Sequence, residues 1–430
     1  MHRRAIVGLL LPAAVVLFCQ PARLDATPLA RFLHGPALAM VELFSGLPII
    51  REVPFENLSV KEAREKMQRE LEEETAQVDL VGQGTLMERF GFVPPGTQLK
   101  EAILGFMEEQ AAAFYSPKTG RFYNVERFGP LDALGESVTV AHELTHAAQD
   151  QALGLGVAMA ARGDDDDRTR ALQWAMEGHA TVVGNRAGGF LSAPFPGPPG
   201  VALGEGQTFL MWTPVMTEAM KRMGSVGAAA AAPAFIRDGI FTSYVAGSRF
   251  VWQTERVLGR EHNLRVICRP PQSTEQAMHV EKYLRRMDPP VKVSLPALAG
   301  APRVELTMGE WAIAWLLHDL TQKEDAGVAA EGWGGDRMAL YPDGSAAWRI
   351  VMDDERSARR LHAALEQHLM PRLADGALLR QGREIHVLRG DLTTNASSVS
   401  GQLAGAALGS FPADPPPPPG SACAQFLKGK

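Results

Sequence analysis

Residues 142 to 146 read His-Glu-Leu-Thr-His, a set of side chains whose types and spacing suit metal chemistry. On a helix, residues four apart lie on one face roughly 6 Å apart, so His142 and His146 can each direct a ring nitrogen at one ion. Glu143 sits beside that pair without belonging to it, where a carboxylate can take a proton from water activated by Zn2+. Val138, Val140 and Ala141 before the run, with Ala147 and Ala148 after it, make this an apolar helix interrupted by polar side chains that need a reason to be there. With 11 His in the chain, the same pattern arises by accident in on the order of a few chains in a hundred, so the match requires a third ligand before it means anything. Trp174-Ala175-Met176-Glu177-Gly178-His179-Ala180 supplies one in Glu177. That residue borders an apolar stripe of Leu172, Met176, Ala180 and Val183, next to small residues that allow two helices to approach. His179, two residues on, points away from Glu177 on a helix and reads as structural.

The run Ala141-His142-Glu143-Leu144-Thr145-His146-Ala147 resembles the zinc helix of the zincin metallopeptidases, specifically the thermolysin-like gluzincins. The resemblance spans roughly residues 110 to 190. It implies a zincin-like core in which His142, His146 and Glu177 hold one Zn2+ per chain and Glu143 is the general base. The implied activity is hydrolysis of a peptide or protein substrate, with the hairpin before residue 125 adding an extended substrate as a strand. The chain departs from that pattern in a longer interval between His146 and Glu177. It also has Thr181 where an acidic residue usually follows the third ligand. Ser273-Thr274-Glu275-Gln276, His279, Glu281-Lys282-Tyr283 and the segment Gly332 to Arg337 resemble stretches of uncharacterised exported bacterial proteins described as predicted metallopeptidases.

These side chains need elements to position them. Val60, Ala63, Met67 and Leu71, then Leu99, Ile103, Phe106 and Ala113, recur at helical spacing, so residues 27–110 are expected to be largely helical. Phe114-Tyr115, a Ser-Pro-Lys-Thr-Gly turn and Phe122-Tyr123 predict a hairpin. A helix from about Ala133 past Gln149, a break through Gly154, Gly156 and the acidic run Gly163 to Asp167, and a second helix from about Thr169 to Gly184 complete an expected core over 111–192. Residues 193–206 read as a Pro/Gly-rich loop and Gly227 to Pro233 as an alanine spacer, in a region, 193–300, that is otherwise helical. In 301–410, Met338 to Tyr341, Pro-Asp-Gly-Ser and Ala347 to Met352 predict a hairpin. A helix to about Leu369 and strands near Leu378 and Ile385 follow, making a small α+β unit. The tail, 411–430, is expected to run extended through Pro412 to Pro419 and to add reach rather than core. The fold class is α+β, mainly helical.

A chain of 430 residues is long enough to bury a sizeable core, and 46% hydrophobic with 21% charged residues is a globular composition. A mean hydropathy of −0.08 excludes a polytopic membrane protein. The formal charge is −6 with no basic stripe, which removes the footprint that nucleic acid requires. His2, Arg3 and Arg4 precede an apolar run from Ala5 to Phe18, and small and polar residues follow around Ala22 and Ala26, so residues 1–26 read as a signal peptide. That run falls short of the roughly 20 residues needed to span a bilayer. The expectation is a secreted or periplasmic protein without a membrane span after signal removal. Lipid attachment at Cys19 is disfavoured by the bulky Phe18. Cys268 and Cys423 then remain, as a bridge or as two thiols.

Other residues admit bland readings. Asp150 reads as a solvated helix-end acid or as a support for the metal site, and Asp164 to Asp167 as an exposed capping loop in preference to a Ca2+ site. His279 reads as an ordinary surface or core-edge histidine in preference to the imidazole of a pair with Glu275, four residues before it, that would make it a donor to an oxyanion. Arg337 reads as a structural ion pair in preference to a clamp on a substrate carboxylate. Two functions compete with a peptidase: a non-catalytic zinc-binding envelope protein, and a metallohydrolase of a non-peptide substrate. Substrate preference, removal of a pro-segment and oligomeric state are not legible in the sequence.

Overall fold

Capping residues and apolar stripes account for most of the helices in the computed structural model, which describes residues 26–110, 113–126, 133–192, 232–286, 288–323 and 325–429. Helix α1 (Ala26–Ser45) buries Ala30, Leu33, Ala37 and Val41 along one face. Strand β1 (Phe55–Ser59) leads into α2 (Val60–Thr75) through a capping box: the Glu62 N–H donates to Ser59 Oγ at 3.3 Å, and the Ser59 N–H to Glu62 Oε2 at 2.8 Å. Asp79 caps α3 (Leu80–Arg89) by accepting from the Gly82 N–H at 2.8 Å, and α4 (Leu99–Gln110) follows. The aromatic hairpin forms as β2 (Ala113–Ser116) and β3 (Arg121–Glu126), with Tyr115 opposite Phe122. Its sheet has a third member, since β1 pairs in parallel with β3 and the order is β1-β3-β2.

Helix α5 (Ala133–Leu153) and α7 (Asp166–Ser192) are the two long helices expected around the motif, with α6 (Leu155–Arg162) between them. The expected break is narrower than the glycines suggested. Between α5 and α6 only Gly154 leaves the helix, at φ +76°, and Gly156 lies inside α6, because one residue in the left-handed region suffices to redirect a helix; a second, three-residue break at 163–165 separates α6 from α7. Helices α8 (Ala234–Leu258), α9 (His262–Cys268) and α10 (Thr274–Met278) complete the helical body. The predicted loop 193–206, and the alanine spacer up to residue 231, lie outside the described residues.

The C-terminal unit is built on β4 (Val291–Val293), β5 (Val304–Leu306), α11 (Gly309–Thr321), β6 (Trp333–Leu340), β7 (Ala346–Met352), α12 (Glu355–Ala364), β8 (Gly376–Gln381), β9 (Glu384–Arg389), α13 (Ala396–Gly405) and β10 (Leu408–Ser410). Five of these strands form an antiparallel sheet in the order β5-β6-β7-β9-β8, while β4 pairs with β10. The chain ends in α14 (Ala422–Lys428). The architecture is α+β and mainly helical, and one continuous apolar core joins the helical body to the sheet.

A buried polar seam holds these two parts together, and it corrects the reading of the acidic run as an exposed loop. Asp165, Asp166 and Asp167 are 3%, 2% and 0% exposed. Asp165 accepts from the Arg168 N–H and from Thr307 Oγ1, Asp166 from the Thr307 N–H, and Asp167 from the N–H and hydroxyl of Thr274. Asp336 on β6 accepts from the N–H groups of Met308 and Gly309 and from both indoles, Trp333 and Trp348. A carboxyl group can be buried only when such partners surround it.

The tail also differs from expectation. It is irregular through the prolines, but Asp414 forms a bidentate pair with Arg162 and accepts from Arg168 and Gln272, so the segment straps onto the helical body. Cys268 and Cys423 are bridged, with Cα atoms 5.0 Å apart, which fastens α14 to α9.

Candidate metal centre

Close helix packing brings the predicted side chains together. On α7, Gly184 faces the backbone of His142, and a Cβ there would lie 3.1 to 3.2 Å from its atoms. One turn further, a Cβ at Gly188 would lie 2.5 to 2.7 Å from Val138. These glycines let α7 run against α5, and Gly178 lets it meet Gly247 of α8 in the same way. As a result, Glu177 Oε2 lies 3.3 Å from His142 Nε2 and 3.7 Å from His146 Nε2, and the two imidazole nitrogens are 3.1 Å apart.

Zinc–nitrogen and zinc–oxygen bonds of about 2.0 to 2.2 Å at tetrahedral angles put neighbouring ligand atoms roughly 3.3 to 3.5 Å apart, so this triangle fits such an ion. The surroundings fit as well. Glu177 is fully buried, and its carboxylate is surrounded by the two imidazoles and the Tyr244 phenol. A buried carboxylate in that position calls for a cation. Burial opposes its charge, yet the neighbouring imidazoles, His146 foremost, hold Glu177 down at about 2. Burial likewise works against a charged His146, but Glu177 and then Glu143 lift it to about 9, whereas His142 is lowered, chiefly by burial.

Glu143 is fully buried beside the triangle and accepts from the Tyr115 main-chain N–H at 2.8 Å. Strand β2 is the edge of its sheet, and this bond turns that edge toward α5. Tyr244 on α8 stacks on the His142 ring at 5.9 Å between centroids. Burial first, and then the charges of Glu177 and Glu143, raise the Tyr244 hydroxyl far above the ordinary phenol range, so it stays a donor. Neither Tyr244 nor Gln149 was singled out from the sequence. Tyr244 lies beyond the segment that carries the motif and had no local signal. Gln149 had one, since it falls three residues after His146 on the same helix. It lies 2.9 Å from His146 Nδ1.

The remaining candidates fall elsewhere. His179 does not share the triangle; its Nδ1 lies 3.0 Å from Gln149 Nε2, and burial first, then His262, hold it neutral at about 3. Asp150 is not a solvated acid: it is 8% exposed and accepts from the Tyr115 hydroxyl and the Leu155 N–H, and burial raises it. The Glu275–His279 pair, the less favoured of the two readings, does not form. His279 bonds Glu310 at 2.7 Å, and Glu275 takes the ammonium of Lys282 at 2.6 Å, because the short α10 ends at Met278 and turns the ring away. Arg337 donates to the Asp164 carbonyl and to Thr307 Oγ1 and lies 3.6 Å from Glu305, a structural set of partners. Glu275, Asp288 and Asp353 form a second group of clustered carboxylates, and the Lys282 ammonium bonds or pairs with all three.

Comparison with known proteins reaches a different part of the chain. No curated protein and no solved structure matches it. Residues 298–400 match a family described as a domain of unknown function, DUF8575, which takes in the five-stranded sheet and leaves α5 and α7 outside the match.

Proposed function

We propose that this chain is an exported zinc metallohydrolase that cleaves peptide bonds, with a zincin-like core, His142, His146 and Glu177 as ligands and Glu143 as general base. The observation that carries the reading is the 3.1, 3.3 and 3.7 Å triangle of His142 Nε2, His146 Nε2 and Glu177 Oε2 beside a carboxylate, Glu143, that the Tyr115 N–H holds out of it. Zinc bound by these residues would supply a Lewis acid that acidifies water and polarises a carbonyl. Glu143 takes the proton of the attacking water and passes it to the leaving amine. Tyr244, kept as a phenol, donates to the oxygen on which charge develops. An extended peptide would meet the main-chain groups of the β2 edge that the Tyr115–Glu143 bond leaves over.

The test is the metal content of the purified mature chain together with hydrolysis of a mixed peptide library, using Glu143→Gln as control. About one zinc per chain and cleavage lost in the variant support the reading. Absence of zinc overturns it. Export rests on residues 1–25, which lie outside the described residues, and mass spectrometry of the chain from its host checks it: an intact Met1 on cytoplasmic protein excludes it. No helix among the described residues is long and apolar enough to cross a membrane.

One observation favours a second reading. His142 is 5% exposed, His146 2%, and Glu143 and Glu177 0%, and such burial suits a zinc-stabilised envelope protein without turnover. Stoichiometric zinc with no cleavage of any library peptide selects that reading. Cleavage of ester, amide or other bonds in a non-peptide panel would instead select a different metallohydrolase.

A further inference from the structure

Gln149 is fully buried one turn beyond His146 on α5, and each end of its carboxamide has a partner. Its Oε1 lies 2.9 Å from His146 Nδ1. Its Nε2 donates to the Met176 carbonyl at 2.9 Å and approaches His179 Nδ1 at 3.0 Å. The donor and acceptor roles follow from the inventory of groups. A main-chain carbonyl only accepts, so the amide nitrogen is the end that faces Met176, and the oxygen is the end that faces His146. That oxygen also only accepts. His146 must therefore carry a hydrogen on Nδ1, so Nε2 is the nitrogen that gives up its hydrogen to bind an ion.

The second partner matters equally. The Met176 carbonyl belongs to the peptide that joins Met176 to Glu177, so one side chain grips the ring of one proposed ligand and the backbone that carries another. The amide also approaches His179 Nδ1, which serves as an acceptor and keeps the carboxamide from rotating. These contacts bridge α5 and α7 directly behind the triangle. Thr181 on α7 supplies no carboxylate for that purpose.

We infer that Gln149, steadied by Met176 and His179, is the positioning residue that fixes the tautomer of His146 and the approach of Glu177 for metal binding. This rests on the proposed metal centre, and the test reads metal and not turnover. The full mature chain is titrated with Zn2+ against a chromophoric chelator, for the unchanged protein and for Gln149→Met, which keeps the volume and removes the hydrogen bonds. The expected result is a zinc affinity lowered roughly 10- to 100-fold in the variant at unchanged secondary structure. Unchanged affinity in Gln149→Met, with stoichiometric zinc in the parent, overturns this inference alone. A parent chain that binds no zinc overturns the metal centre and this inference with it.

A second measurement covers a variant that fails to fold. In the zinc-loaded parent, labelled with nitrogen-15 at histidine, the His146 ring should show hydrogen on Nδ1 and the metal on Nε2. The opposite tautomer overturns the inference.

Discussion

The main-chain N–H of Tyr115 donates to Glu143 Oε2 at 2.8 Å, so the edge of the hairpin and the carboxylate beside the His142–His146–Glu177 triangle are one structural unit. A backbone donor cannot swing away, so it fixes where that carboxylate points. The strand proposed to receive substrate thus also sets the orientation of the proposed base.

On the proposed function, His142→Ala and His146→Ala each remove one of the two imidazole ligands. Purified parent chain should carry about one zinc, lost on dialysis against chelator, and each variant should carry well under half of that at the same free zinc. Elemental analysis checks this. Stoichiometric zinc in His146→Ala would refute the ligand assignment.

Glu143→Gln keeps size and can still meet the Tyr115 N–H, but it cannot take a proton. Zinc should remain while turnover falls by a factor on the order of 10² to 10⁴. Glu177→Gln replaces a charged ligand with a neutral one, so zinc and turnover should fall together. Peptide hydrolysis and metal content, measured on both variants, distinguish a base from a ligand; parental turnover in Glu143→Gln would exclude the mechanism.

Tyr244→Phe removes only a hydroxyl from a ring stacked 5.9 Å from His142. Zinc content should be unchanged and kcat should drop on the order of 10²-fold, as for loss of one donor to a developing oxyanion. A variant with parental kcat would return Tyr244 to a packing role.

Stability should decline with rising pH through the acidic seam. Burial pushes Asp167 from 3.8 to about 8, with Arg170 opposing and Asp165 adding to the rise, and burial pushes Asp166 to about 6. A folded-state value above the unfolded one means that the folded chain holds the proton more tightly. The contribution is therefore full below about pH 4 and is lost as pH rises through those folded-state values. The urea midpoint should fall between about pH 5 and 8, and Asp167→Asn should flatten that fall. Equal slopes in the two proteins would count against this.

Asp336→Ala should destabilise the chain by about 3 to 5 kcal/mol, because two indoles and two main-chain N–H groups lose their common acceptor in a buried place. Urea unfolding measures it, and a loss under about 1 kcal/mol would show that the seam is better solvated than its burial indicates.

What the sequence determined alone is local. The pair His142 and His146 follows from a spacing that any helix converts into one face, and the aromatic hairpin and the helix of Glu177 follow from periodicity and turn residues over short stretches. Local pattern could not tell that β1 pairs in parallel with β3, because that partner lies beyond a helical stretch and offers no turn between them. Nor could it place Tyr244 on His142, turn Gln149 toward both α5 and α7, or send His279 to Glu310 instead of Glu275. The acidic run shows the reason most clearly. Four consecutive aspartates look solvated in sequence, since charge is costly to bury, and only the folded chain supplies the Thr274 and Thr307 donors that make burial affordable. The tail is the same case, with prolines that dictate an extended path while Arg162, Arg168 and the bridge to Cys268 decide where that path lies.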